Sequence, residues 1–241
     1  MTQETALSKR YSDLAVYRQC FLDEAWDAAE LTLPFILPRN STYNQALPTP
    51  YQGVGARGIN NLTAKLLLTL FPPNSPFFKF QIDDFTLEEL QQQRAPVEEG
   101  LNSMERAVMD EIEGKAMRVP LNECIRHLLI TGNAVLHADK NNAIRVFHLD
   151  QYVTRRDPQG VVLEIIVKER MSRELYKDLF NSAPPKETGT SADGNEKELS
   201  LYTSVRRVGD KIKVRQEVND KRIPGTDSEY PLDKNPWLAL R

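Results

Sequence analysis

Much of what would mark a secreted, membrane-spanning or catalytic protein is missing from this sequence. Its 241 residues hold two cysteines, Cys20 and Cys124, which imply no disulfide framework and fit a reducing compartment. No stretch approaches the ~20 apolar residues of a membrane span. The opening MTQETALSKRYSDLAVYR has no apolar signal core, so the sequons at Asn40 and Asn61 carry no meaning. A basic excess is missing too. The net charge of −3 suits neither a groove nor a patch that grips nucleic acid, where lysine and arginine must neutralise phosphates. It is compatible with a surface that DNA slides past.

Catalytic constellations are equally scarce. There is no G-x-S-x-G elbow, no H-E-x-x-H pair and no G-x-x-x-x-G-K-[ST] loop. Cys124 and His127 fall one helical turn apart, with His137 and His148 on later strands, but no second close pair completes a metal site. A buried cysteine and ordinary histidines account for them, so no metal is expected. Asp83-Asp84 and Glu88-Glu89 sit at a strand end and a helix start, where acids serve turns and the helix dipole. Arg155-Arg156 and Arg206-Arg207 lie in strands beside Tyr152 and Tyr202 and read as salt-bridge partners along a modest basic edge. No catalytic residue, metal or cofactor is assigned.

What is present is ordinary in bulk and distinctive in order. With 40% apolar and 27% charged residues, the chain has the make-up of a globular protein of one large or two modest domains. Leu7, Tyr11, Leu14, Ala15, Phe21, Leu22, Ala25, Trp26 and Ala29 recur at helical spacing and predict a helix over about Thr5–Leu31. Its opposite face, with Arg10, Asp13, Arg18, Asp23 and Glu24, reads as solvated. A loop over Pro34–Pro48 leads to the stretch that organises the rest, TPYQGVGARGINNLTAKLLLTLFPPNSPFFKF from Thr49 to Phe80. A helix over 49–71 is expected there, with Thr49 as cap, Pro50 in the first turn, Gln52 closing a capping box, and Pro72-Pro73 as the stop. FFKFQID alternates and predicts a strand.

Further on, Thr86 caps a helix running to about Glu113, split or kinked at Pro96, and Pro120 opens another that ends near Thr131-Gly132-Asn133. AVLHAD, AIRVFHL, QYVTRR and VVLEIIVKE then read as four strands. Asp157-Pro158-Gln159-Gly160 has the residues of a type I turn. Ser172–Phe180 reads as a short helix, and 181–197 has a flexible-loop composition. LYTSVRRV, Gly209-Asp210 and KIKVRQEV give a hairpin. The expected class is α+β: a mainly helical region, 1–132, packed with a mainly antiparallel β region, 133–241. The apolar ending Pro236-Trp237-Leu238-Ala239-Leu240 reads as the start of a strand and implies that the chain is the N-terminal part of something longer.

Gly53-Val54-Gly55-Ala56-Arg57-Gly58 matches G-x-G-x-x-G, a dinucleotide fingerprint when a buried strand feeds its first glycine. Leu47-Pro48-Thr49-Pro50-Tyr51-Gln52 is no such strand. A nucleotide-binding enzyme using Gly53–Gly58 therefore remains only an alternative. Glycines inside a helix cost up to ~1 kcal/mol each against alanine, which points to close packing. Gly53, Gly55, Gly58, Leu62 and Leu66 are the candidate residues for tight helix packing or subunit contact.

VGARG with NNL, the leucine-rich continuation, FPP and the aromatic FFKF, preceded by LTLPFILP and followed by NECIRHLLITGNAVLH and PWLALR, resembles the portal proteins, or head-to-tail connectors, of short-tailed bacteriophages (podoviruses). The resemblance spans most of the chain and is weak over about 169–221. It implies a wing-like region of a structural subunit, not an enzyme, with stem, clip and crown beyond Arg241. It further implies a homo-oligomeric ring of about twelve copies at the capsid vertex of the virion. Its partners would be double-stranded DNA passing through the channel, the terminase motor, scaffolding and major capsid proteins, and a tail adaptor. Another virion assembly protein, such as a tail adaptor itself, is the other structural alternative.

Overall fold

The computed structural model describes residues 6–39, 47–73, 75–82, 94–141, 143–180 and 199–241. The fold is α+β: among these residues are five helices, α1 Leu7–Leu31, α2 Val54–Leu70, α3 Arg94–Gly114, α4 Arg118–Thr131 and α5 Arg173–Phe180. The strands are β1 Ala134–Ala138, β2 Ile144–Phe147, β3 Tyr152–Arg156, β4 Val162–Met171, β5 Leu199–Val208, β6 Lys211–Val218, β7 Lys221–Arg222, β8 Ser228–Pro231 and β9 Trp237–Leu240.

They form two antiparallel sheets. One has the order β2-β1-β9, and the other runs β3-β4-β5-β6-β7 with β8 also on β6. Short turns set the registers. At the β5–β6 hairpin, Val208 pairs with Lys211 across Gly209-Asp210, and Gly209 takes the positive φ of 61° that such a turn requires. At the β3–β4 turn, Asp157 Oδ1 accepts the Val161 N–H at 2.8 Å and the Gly160 N–H donates to Asp157 O at 3.0 Å.

One core joins helices and both sheets. Leu22, Ala25 and Ala29 of α1 pack with Ile130 of α4, Val135 of β1, Val167 of β4 and Trp237 of β9. Hydrophobic burial of this kind stabilises by roughly 25 cal/mol per Å². Polar contacts then fix how α1 lies on the second sheet. The N-terminus of α1 has no capping side chain of its own. Glu217 of β6 supplies one instead, its Oε2 accepting the Leu7 N–H at 2.8 Å, as a carboxylate at a positive helix end should. One turn on, Arg10 pairs with the buried Glu164 of β4 at 2.9 Å.

Two expectations are corrected. The helix expected from 49 begins at Val54, and the cap is Gly53, whose carbonyl accepts the Arg57 N–H at 3.0 Å. Residues 47–53 lie almost wholly exposed, so an extra turn there would pack on nothing, and short helical turns need packing to persist. The strand expected over 77–82 does not form. Phe71, Phe77, Phe78 and Phe80 instead stand edge to face, with centroids 5.1, 5.3 and 5.4 Å apart in succession. Neighbours Phe77 and Phe78 could not touch in a pleated strand, where they point to opposite faces.

Pro96 lies in the first turn of α3, where its missing N–H would have had no partner; the stretch before Arg94, on which the expected split or kink depends, lies outside the described residues. The expectations for Asp83-Asp84, Thr86, Glu88-Glu89 and the 181–197 loop fall outside the described residues.

Candidate assembly surface

Helix α2 carries more apolar side chains than it hides. Its only buried residue is Thr63. The inner side, with half-buried Ala56 and Ile59, meets the core, and the helix lies along α4. Val54, Gly58 and Leu62 recur every fourth residue on the outer side. Val54 and Leu68 are 65% and 59% exposed. An apolar stripe that its own chain leaves uncovered is the kind of surface that marks a protein contact.

The five candidate packing residues divide along this helix. A Cβ on Gly55 would lie 2.7 Å from Leu31 O and 3.1 Å from Thr32 Cγ2, so α2 crosses the end of α1 through the space that this glycine leaves. Gly53 would meet only the tip of Arg57, and Gly58 would meet nothing within 4 Å. Leu62 is exposed and Leu66 half-buried. Within the chain, then, Gly55 alone of the three glycines makes room for backbone. Among the described residues no strand precedes Gly53, and 47–52, which lead into it, are not extended in a sheet, so the glycine run lacks the strand-fed loop of a dinucleotide site.

A second surface feature escaped the sequence reading. A cleft of about 580 Å³ between α1 and β3 is lined by Arg10, Arg18, Arg155, Arg156 and Arg241. Arg18, expected on a solvated face, turns inward. Its Nη1 donates to Leu149 O at 2.7 Å, Tyr152 O at 2.6 Å and Tyr11 Oη at 3.2 Å. Burial raises the Tyr11 phenol above its usual range, and the guanidinium partly offsets that shift. The signal was Tyr11 and Arg18 seven residues apart, hence on one helix face. Phe21, expected inward, is exposed, with the Arg241 guanidinium 5.6 Å from its ring centre.

The four residues weighed as metal ligands do not come together as a set. Cys124 is buried among Ala134 and Leu136, and burial pushes its thiol up to about 11, so it stays protonated and inert. His137 stacks on Trp237 with centroids 4.1 Å apart. His127 and His148 do meet, ring edge to ring face at 4.7 Å. Burial and the neighbouring imidazole lower His127 to about 4.

Known proteins place these surfaces in a family. The model of the bacteriophage head to tail connecting protein family matches residues 4–241. The portal protein of Enterobacteria phage T3 is 33% identical over 99% of this chain and 46% of its own length. That of Escherichia phage T7 is 29% identical over 96% of this chain and 45% of its own length. For Enterobacteria phage SP6 the portal protein is 24% identical over 99% of this chain and 47% of its own length. The chain spans about half the length of these relatives. Among the described residues no helix is long and apolar enough to cross a membrane. The match over nearly every residue, carried by helices and antiparallel sheets that share one core, makes the chain a member of the bacteriophage head-to-tail connecting protein family.

Proposed function

We propose that this chain is the outer, wing-like part of a portal subunit. Copies of the whole subunit close into a ring of about twelve at one vertex of the virion capsid. The ring acts as the conduit for double-stranded DNA during packaging and ejection and carries the tail. Its partners are the terminase motor, scaffolding and major capsid proteins, and a tail adaptor. The helical region 1–132 supplies contacts between copies, and the β region 133–241 braces it. Family membership over residues 4–241 is the observation that carries this reading.

The outward stripe of α2 indicates where a neighbouring copy would sit. A closed ring needs a head-to-tail interface, one patch meeting a different patch, and such an interface places no symmetry demand on the stripe. Gly58 and Leu62 would contact the next subunit, Gly53 would admit it closely, and Gly55 and Leu66 would hold α2 against its own chain. A net charge of −3 is consistent with a body that DNA passes without sticking.

Native mass spectrometry with negative-stain imaging tests the reading on this chain and on a version extended past Arg241. Rings of about twelve subunits are expected from the extended protein. Monomers from the extended protein at high concentration, under every salt condition, would overturn it. Assembly only on addition of preformed rings of another protein would favour a tail adaptor instead.

A further inference from the structure

Glu123 and His127 stand four residues apart on α4, so their side chains share one face. His127 Nε2 lies 3.9 Å from Glu123 Oε1. His148, in the turn that follows β2, brings its ring against that of His127. One donor atom from each of the three lies within 4.8 Å of the other two.

One detail points beyond packing. His148 Nδ1 is 2.6 Å from the carbonyl oxygen of Ile36. A carbonyl can only accept, so the proton sits on Nδ1 and the lone pair of the neutral ring is at Nε2. A backbone carbonyl holding one ring nitrogen is the usual device by which a protein orients a metal-ligating histidine.

We propose that Glu123, His127 and His148 bind a divalent transition-metal ion of the zinc class, through one carboxylate and two imidazoles. Zinc accepts this nitrogen–oxygen donor set, and water completes a tetrahedron. Bonds of about 2.0–2.2 Å separate tetrahedral donors by roughly 3.3–3.6 Å. The 3.9 Å between His127 and Glu123 closes to that by a small turn of the Glu123 side chain, which is 53% exposed. Cys124 is no ligand, since its side chain packs with Ala134 and Leu136. The ion would fasten three segments that are distant in sequence: α4, the turn after β2 and, through Ile36, the chain that leaves α1.

The test uses the chain stripped with EDTA, then loaded with zinc and passed through a desalting column. Elemental analysis is expected to find about one zinc per chain, and thermal melts to shift upward with zinc, as binding to the folded state requires. Cobalt(II) added in its place should give the visible bands of a four-coordinate ion. Glu123→Gln should lower zinc affinity at least tenfold and His148→Gln should abolish retention. His137→Gln, at the remaining histidine, should leave both unchanged. No retained zinc and no melting shift in the native chain would overturn the proposal. So would equal retention by Glu123→Gln and His148→Gln, which would put the ion elsewhere.

Discussion

Helices α2 and α4 lie against each other and invert what their sequences promise. VGARGINNLTAKLLLTL is the more apolar, yet it buries only Thr63. RVPLNECIRHLLIT carries a carboxylate, two arginines and a histidine, yet buries Cys124, Ile125, His127, Ile130 and Thr131. The difference lies in position. Helix α4 sits between α1, α2 and the β1–β2 hairpin, so even His127 and Thr131 are enclosed. Helix α2 touches the body on one side and leaves Leu62, Leu68 and Leu70 outward. Within one chain, burial follows from how many elements surround a helix.

Substitutions on the two helices should separate these roles. Ile130→Ala, in the common core, should cost about 2–5 kcal/mol, read as a lower urea midpoint. Leu62→Ala on α2 should change the isolated chain by no more than about 0.5 kcal/mol. Equal losses at both sites would break the contrast.

Acid should act through α4 next. His127 has its folded value lowered to about 4, whereas an unfolded histidine titrates near 6.5. The unfolded chain therefore binds the proton first, and stability is lost as pH falls from about 6.5 toward 4. Full loss of this contribution amounts to ~3 kcal/mol. Urea titrations in EDTA at pH 7 and pH 5 should show most of the change in the native chain and a smaller one in His127→Gln.

The glycines give the next smaller effects, with opposite signs. Gly55→Ala forces a methyl group against Leu31 O and should cost about 1–3 kcal/mol, as overpacking does. Gly58→Ala meets open space and should stabilise the isolated chain by up to ~1 kcal/mol. The same Gly58→Ala change should weaken assembly of the extended protein if a neighbouring copy packs there, seen as fewer closed rings in native mass spectra. The smallest effect on stability is expected from Leu68→Lys, within about 0.5 kcal/mol, again with weaker assembly.

The periodic signals in the sequence were reliable wherever one chain segment decides its own structure. Gly209-Asp210 set its hairpin, and Asp157–Gly160 its turn. The spacing of Leu22, Ala25 and Ala29 gave the core face of α1. Signals failed where a distant partner decides. Thr49, Pro50 and Gln52 have the right chemistry for a helix start but nothing to pack against. Phe77, Phe78 and Phe80 have the alternation of a strand, yet no neighbouring strand pairs with them.

The sites were legible to the same extent. Gly55 stood out because a helix-interior glycine needs a reason, and Leu31 O provides one. The arginine-lined cleft did not stand out, because Arg10 and Arg241 are brought together only by the tertiary fold. The pairing of His127 with His148 was hidden behind the nearer Cys124. Spacing along a helix favoured the wrong partner.

The order of the smaller sheet has a consequence for how the chain is made. Strand β1 lies between β2 and β9, with Val135 opposite Phe147 on one side and Ala239 on the other. A ribosome delivers β2 at once but β9 only after β3 through β8 have emerged. Until Trp237 arrives to cover His137 and Phe147, one side of β1 presents unpaired backbone, which invites pairing with another nascent chain. Synthesis, more than the finished fold, is where this protein is most exposed to misassembly. A pause in translation that holds Trp237–Leu240 inside the ribosome should raise the yield of aggregate more than an equal pause after that strand has emerged.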